Sequence, residues 1–386
     1  MENKRIYMDY NATTPLRLEV GSAIVKDLEI FGNASSMHEA GRAAHARVEA
    51  ARESVGKLIG APAERIVFTS GGSESNNTVF QTMLLAGEGQ NRNEIVTTAI
   101  EHPCVINSAE FLRSRGMKVT FLPVDPDGKV HFDELRAVVN ERTLLVSVML
   151  ANNEIGTIQD LRAISAIAKE AGAWVHSDAV QAAGKVPVDV DKLGVDYLTL
   201  SAHKIYGPKG VGALYARKGA PFEPLIRGGH QEHGLRAGTY NNIGILGFGV
   251  AAELAFAELA SYGHDLARLR TILRDGFIER VPNIKINGHP REVLPNTLNV
   301  SFPGAEGESI LLHLDLLGIQ ASTGSACASG SLDPSHVLMA TGVGPELAHG
   351  SIRFSLGRDT TEQDVRYVLD TVPPIIARLR AMSTVN

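Results

Sequence analysis

Cysteine is scarce in this chain: its 386 residues contain two, Cys104 and Cys327. Two thiols do not make a disulfide framework, so a small disulfide-stapled scaffold is excluded and reduced thiols in the cytoplasm are expected. Excess basic charge is missing too. A formal net charge of −6 offers no positive field to nucleic acid or to an anionic membrane, and neither is expected as a partner. The opening stretch MENKRIYMDYNATTP has no apolar run of the signal-peptide kind. The longest apolar stretches, such as Ile243 to Leu259, carry Gly and Glu and read as too short or too polar to span a bilayer. Internal repeats and low-complexity linkers are also lacking.

What is present is the composition of a soluble globular protein, 44% hydrophobic and 21% charged, with length enough for a large domain and a smaller one. Ala44, Val48, Ala51, Val55 and Leu58 recur at helical spacing, and Gly60-Ala-Pro62 ends that pattern. Short apolar runs follow, read as buried strands: 65–69, 94–99, 119–122, 144–149, 174–176, 196–200 and 212–215. Helical patterns separate most of them. The fold expected is α/β, with a large domain over residues 13–259 built on a mostly parallel sheet. A helical pattern from about 243 to 280 leads into a small α+β domain, 260–386, and residues 1–12 are candidates to pack on it.

Several strand ends carry polar residues suited to chemistry. Ser70-Gly-Gly72-Ser73 follows a strand and opens a helix; it is either a capped turn or a cradle for an anion. No Gly-Lys-Ser/Thr follows, which argues against a nucleotide P-loop. The strand from Trp174 ends on Asp178, with Gln181 beyond it. Asp178 is either a helix cap or a carboxylate able to pair with a pyridinium nitrogen. The next strand ends Ser201-Ala-His203-Lys204; a lysine at a buried strand end is a costly charge or a reactive amine. Anion cradle, Asp and Lys together point to pyridoxal phosphate (PLP) held as a Schiff base on Lys204.

Further candidates lie around this set. His102, in Glu101-His-Pro103, is a loop histidine or a group that stacks on a flat ring and moves protons. Asn153 is a turn residue or a contact to cofactor or substrate. In the alternating stretch Ser351 to Leu356, Arg353 falls on the polar side and can clamp a carboxylate if that side faces a cleft. Ala321 to Ser331 surrounds Cys327 with small residues, the composition of a mobile loop, where a thiol suits carrying a group between sites. Cys104 reads as core or as support. Arg227 to Thr239 is a Gly-rich loop without a legible target.

In order and spacing these motifs resemble NifS/IscS-type cysteine desulfurases, of the class V aminotransferase family in PLP fold type I. The resemblance runs through Asn11-Ala-Thr-Thr-Pro15, Phe68 to Ser75, Glu101-His-Pro103, Ala151 to Gly156, Ser177 to Gln181, Ser201 to Lys204, Arg236-Ala-Gly-Thr239, Gly324-Ser-Ala-Cys327 and Arg353 to Arg358. It implies that Lys204 carries PLP and that Asp178 pairs with the ring nitrogen. It also implies that Gln181 meets the ring oxygen and that His102 stacks and exchanges protons. Gly72, Ser73, Ser201 and His203 would hold the phosphate, and Thr239 would reach the phosphate of a second subunit, making a homodimer necessary. Asn153 and Arg353 would hold substrate. The implied activity is removal of sulfur from L-cysteine, giving L-alanine and a persulfide on Cys327 for an Fe–S scaffold or another sulfur acceptor. Cys327 is also a candidate transient Fe–S ligand; no other metal site is expected. The long Cys327 segment resembles the NifS/IscS branch rather than the SufS branch. Ser73 stands where the family usually has Thr, with the hydroxyl kept. The chain ends soon after Met382, without the longer tail of housekeeping members. Selenocysteine lyase, class V aminotransferase and, further off, a non-catalytic sulfur carrier are the rival readings.

Overall fold

The computed structural model describes residues 5–87, 91–323 and 333–382. Cys327 lies outside the described residues. Twelve strands are found among them: β1 Ile6–Tyr7, β2 Ile66–Thr69, β3 Glu94–Thr98, β4 Lys118–Leu122, β5 Thr143–Ser147, β6 Trp174–Asp178, β7 Tyr197–Ser201, β8 Gly212–Ala216, β9 Lys285–Asn287, β10 Thr297–Ser301, β11 Ile319–Gln320 and β12 Ser351–Ser355.

Seven strands form the main sheet, in the order β2-β8-β7-β6-β5-β3-β4. Strands β2, β3, β5 and β7 are buried at every position. Helices cover both faces of such a sheet, so these strands read in sequence as continuous apolar runs rather than alternating ones. Strands β3 to β7 pair in parallel. Strand β8 runs antiparallel to β7, and β2 antiparallel to β8. Two reversals restore the direction, so β2 ends at the same edge as β3, β5, β6 and β7. The polar segments after those strands therefore meet along one rim, the usual ligand edge of an open α/β sheet.

The order β12-β10-β9 makes a smaller antiparallel sheet, beside a two-stranded β1-β11 ribbon. Phe277 packs against Phe302 and Phe354 in its core, which Ile6 and Met8 join. One helix, Asn242–Arg280, serves both cores. Ile245, Phe248, Ala251 and Ala252 lie in the core of the main sheet, and Leu266, Leu269, Leu273 and Phe277 in the smaller one.

This helix corrects one expectation. An 18-residue stretch within it has mean hydropathy 1.7, so composition and length alone do not exclude a membrane span. Its glycines have a packing reason instead. A Cβ on Gly249 would lie 2.5 Å from Ala51 Cα in the helix Glu39–Leu58, so only glycine allows this approach. Gly249→Val should force the two helices apart and lower stability by about 1–3 kcal/mol. The check is the denaturant midpoint; an unchanged midpoint would contradict the close approach.

Candidate active site

A cleft of about 210 Å³ opens on the rim of the main sheet. Gly72, Ser73, His102, Asn153, Asp178, Gln181, Ser201, His203, Lys204 and Arg353 all line it, together with Asn11, Ala12 and Cys104. Ten of the twelve expected site residues thus come together. Thr239 does not: it is exposed and lines a separate pocket with Ser70 and Arg236. Cys327 is outside the described residues.

Asp178 ends β6 and is buried. Its Oδ2 accepts from Asn76 Nδ2 at 2.7 Å, and its Oδ1 from the Val180 N–H at 2.9 Å. Lys204 follows β7, and its Nζ donates to the carbonyls of Asn11 and Ala12. The turn behind Lys204 is strained and well held. Tyr206 has φ +66°, a region a bulky residue enters only when its surroundings enforce it. Its N–H donates to Thr14 Oγ1 at 2.8 Å, and its hydroxyl meets Tyr262 at 2.8 Å and accepts from the Arg358 N–H at 2.7 Å. Asn11 and Ala12 are thus part of the cleft, with Thr14 bracing the turn behind it.

His102 caps the helix Pro103–Ser114, its Nδ1 accepting from the Cys104 N–H at 3.2 Å. A ring nitrogen that accepts has no proton, so the neutral ring carries its hydrogen on Nε2. Burial holds the His102 pKa below its ordinary value, against the pull of Asp178, and Lys204 and His336 lower it further. Cys104 Sγ lies 2.9 Å from the same Nδ1, and burial, with Asp178 adding, pushes its thiol up to about 12. It is a cleft-wall residue rather than core. Burial likewise lowers His203 to about 4, with Lys204, Lys209 and Lys185 adding, and its Nδ1 lies 3.1 Å from Thr13 Oγ1.

Arg353 is 2% exposed. Its guanidinium donates to the Asn153 carbonyl at 3.0 Å and to Asp9 Oδ1 at 2.8 Å, while Nε finds no acceptor. The alternation in β12 correctly placed it on the cleft; the Asp9 pairing was not legible. Asn76 and Lys185 were missed as well, and Asn11, though it opens a motif of the resemblance, was given no role. On the far side of the β2 end, Glu232 takes a bidentate ion pair from buried Arg52 at 2.6 and 2.8 Å and accepts from the Phe68 N–H. This holds the loop that carries Thr239.

The aminotransferase class V family model matches residues 6–368. The chain belongs to this family. It is 51% identical to a protein named cysteine desulfurase IscS from Dictyoglomus turgidum, over 98% of this chain and 96% of the relative. It is 49% identical to one of the same name from Methanosarcina thermophila, over 99% and 94%. Its structure is similar to that of a solved NifS-like protein, with TM-score 0.91 and 41% identity, covering 97% of this chain and 100% of the other. The fold is PLP fold type I.

The cofactor of this family is PLP, and the cleft fits it. Gly72 and Ser73, the first residues of the helix Gly72–Gly87, line the cleft; the N–H groups of a helix start and a hydroxyl are a donor set for a phosphate. A Cβ on Gly72 would approach Val180 Cγ2 at 3.0 Å, so glycine keeps that approach open. A carboxylate and an amine lie at the ends of neighbouring strands, as a pyridinium nitrogen and an aldehyde carbon require.

Glu101 underlies the cleft, 1% exposed, its Oε1 accepting from Thr98 Oγ1 and the Met149 N–H. Burial raises its pKa to about 8. A raised carboxyl stabilises the fold below its unfolded value near 4.5 and loses that contribution as pH rises through 8. Glu101→Gln keeps both accepted hydrogen bonds and cannot ionise. Its melting temperature should gain on the wild type as pH rises from 5 to 9; parallel curves would contradict a buried neutral acid.

Proposed function

We propose that this chain is a cysteine desulfurase that takes the sulfur of L-cysteine onto Cys327, releases L-alanine and passes the sulfur to an acceptor protein. The observation that carries the reading is how the Cys327 segment is tethered to the cleft. On one side, the Ser322 carbonyl accepts from the Arg353 N–H at 2.7 Å. On the other, Ser335 Oγ bonds the Glu154 carboxylate and His336 Nε2 meets the Glu101 carbonyl at 2.9 Å. Both anchors adjoin residues that line the cleft. Cys327 is five residues beyond Ser322, a reach of up to ~17 Å. The relatives named cysteine desulfurase support the same activity.

In this reading the N-terminus of the helix Gly72–Gly87, with Ser73, Ser201 and His203, holds the phosphate. Asp178 holds the ring nitrogen and Gln181 the ring oxygen. Lys204 supplies the attachment, and His102 stacks. Bound there, PLP provides an electron sink for the bond broken at the substrate's α-carbon. Arg353 and Asn153 orient the substrate, and Arg353 Nε is the N–H without an acceptor. Lys204 takes the α-proton, and His102 Nε2–H delivers a proton during the later steps. The Cys327 thiolate attacks the substrate sulfur; the S–S bond forms, the Cβ–S bond breaks, and Cβ takes up a proton. L-cysteine and the Cys327 thiol become L-alanine and a Cys327 persulfide.

The chain acts as a large domain, 13–259, and a small one, 260–386, in a cytoplasmic homodimer. The dimer accounts for Thr239, which is exposed outside its own cleft and serves the partner's phosphate. The acceptor is an Fe–S scaffold or another sulfur-accepting protein.

Cys327→Ser should keep the absorbance of bound PLP and lose alanine formation from cysteine by about 10³-fold or more. Lys204→Ala should lose the near-visible band of the covalently held cofactor. Full turnover by the Cys327→Ser protein, or turnover that requires an amino acceptor, would contradict the assignment.

A further inference from the structure

Lys185 is 3% exposed and enters none of the roles above. Burial pushes its pKa down to about 7, and the charges of Lys204 and Arg353 push the same way. None of the described ion pairs includes it. A buried amine with cationic neighbours is costly, and an apolar side chain of similar size would ordinarily be more favourable there. Its hydrogen bonds show what it does. Nζ donates to the Gln181 carbonyl at 3.1 Å and to Gln181 Oε1 at 2.8 Å. Gln181 Nε2 donates to the Asn11 carbonyl at 2.9 Å, and that same carbonyl accepts from Lys204 Nζ. One chain of polar contacts thus runs from Lys185 through the Gln181 amide and the Asn11 carbonyl to Lys204.

The chemistry of its two ends removes any ambiguity in the amide. The Asn11 carbonyl only accepts, so it must face Nε2, which leaves Oε1 to accept from the Lys185 amine. The second N–H of Nε2 is then left for the cleft, which Gln181 lines. A small cavity of about 20 Å³ lined by both Lys185 and Lys204 has room for one water.

We propose that Lys185 is a positioning residue that locks the Gln181 amide with its N–H toward the cleft. The proposal rests on the reading of the cleft as a PLP site. A donor on the ring-oxygen side favours the anionic oxygen and weakens its hold on the proton shared with the Lys204 attachment. Losing that donor raises the pH at which the proton leaves.

The test is a spectrophotometric pH titration of the bound cofactor in the full-length protein. Lys185→Met should raise the midpoint by about one pH unit. Gln181→Leu should move it the same way, and the double variant should shift no further than the larger single. Lys185→Gln, neutral but able to donate, should give a smaller rise and serves if the Met variant is not recovered. A midpoint left at the wild-type value while only the melting temperature changes would overturn the proposal, as would fully additive shifts. A wild-type protein with no titrating band would instead overturn the cofactor reading.

Discussion

The cleft depends on the parallel pairing of β6 with β7, which sets Asp178 against Thr199. That register brings the carboxylate at the end of one strand and the amine just past the end of the next to a single edge. A slip of one residue would turn Asp178 to the other face of the sheet. The remaining parts are arranged around this pair: β2 delivers the helix Gly72–Gly87, β3 delivers His102, and the segment after β5 delivers Asn153. The N-terminal residues 11–14 close the site over Lys204.

Burial also divides the labour among groups that look equivalent in sequence. The two cysteines are the clearest case. Cys104 lies on the cleft wall, but its raised pKa keeps the thiol protonated beside His102, so it is a poor nucleophile. In the proposed reaction the sulfur-carrying role falls to Cys327. His102 is held neutral while its Nδ1 caps a helix, which leaves Nε2 as the proton-bearing atom. The same contact that starts the helix thus selects the tautomer.

Much of this was legible in the sequence. All seven expected main-sheet strands start and end within two residues of those found, because uninterrupted β-branched runs bounded by Gly, Pro and polar residues leave little choice. Asp178, Lys204 and the Ser70–Ser73 turn were legible because each follows such a run. The unread parts depend on distant pairing. Asp9 meets Arg353 across 344 positions, and Asn76 meets Asp178 across 102. Lys185, in Gly-Lys-Val-Pro, reads as a surface lysine; only the packing of the helix Asn242–Arg280 and the cleft around it shows otherwise. The apolar half of the long helix reads as too polar to span a bilayer because it carries Gly and Glu, yet its hydropathy is high and its glycines serve close packing.

The most direct measurement is a single turnover with protein in excess of L-cysteine. Alanine would be quantified, and the peptide bearing Cys327 examined by mass spectrometry under non-reducing conditions. The account predicts one added sulfur on Cys327 for each alanine formed, with Cys104 unmodified. Alanine accompanied by free sulfide and an unchanged Cys327 peptide, or sulfur found on Cys104, would contradict it.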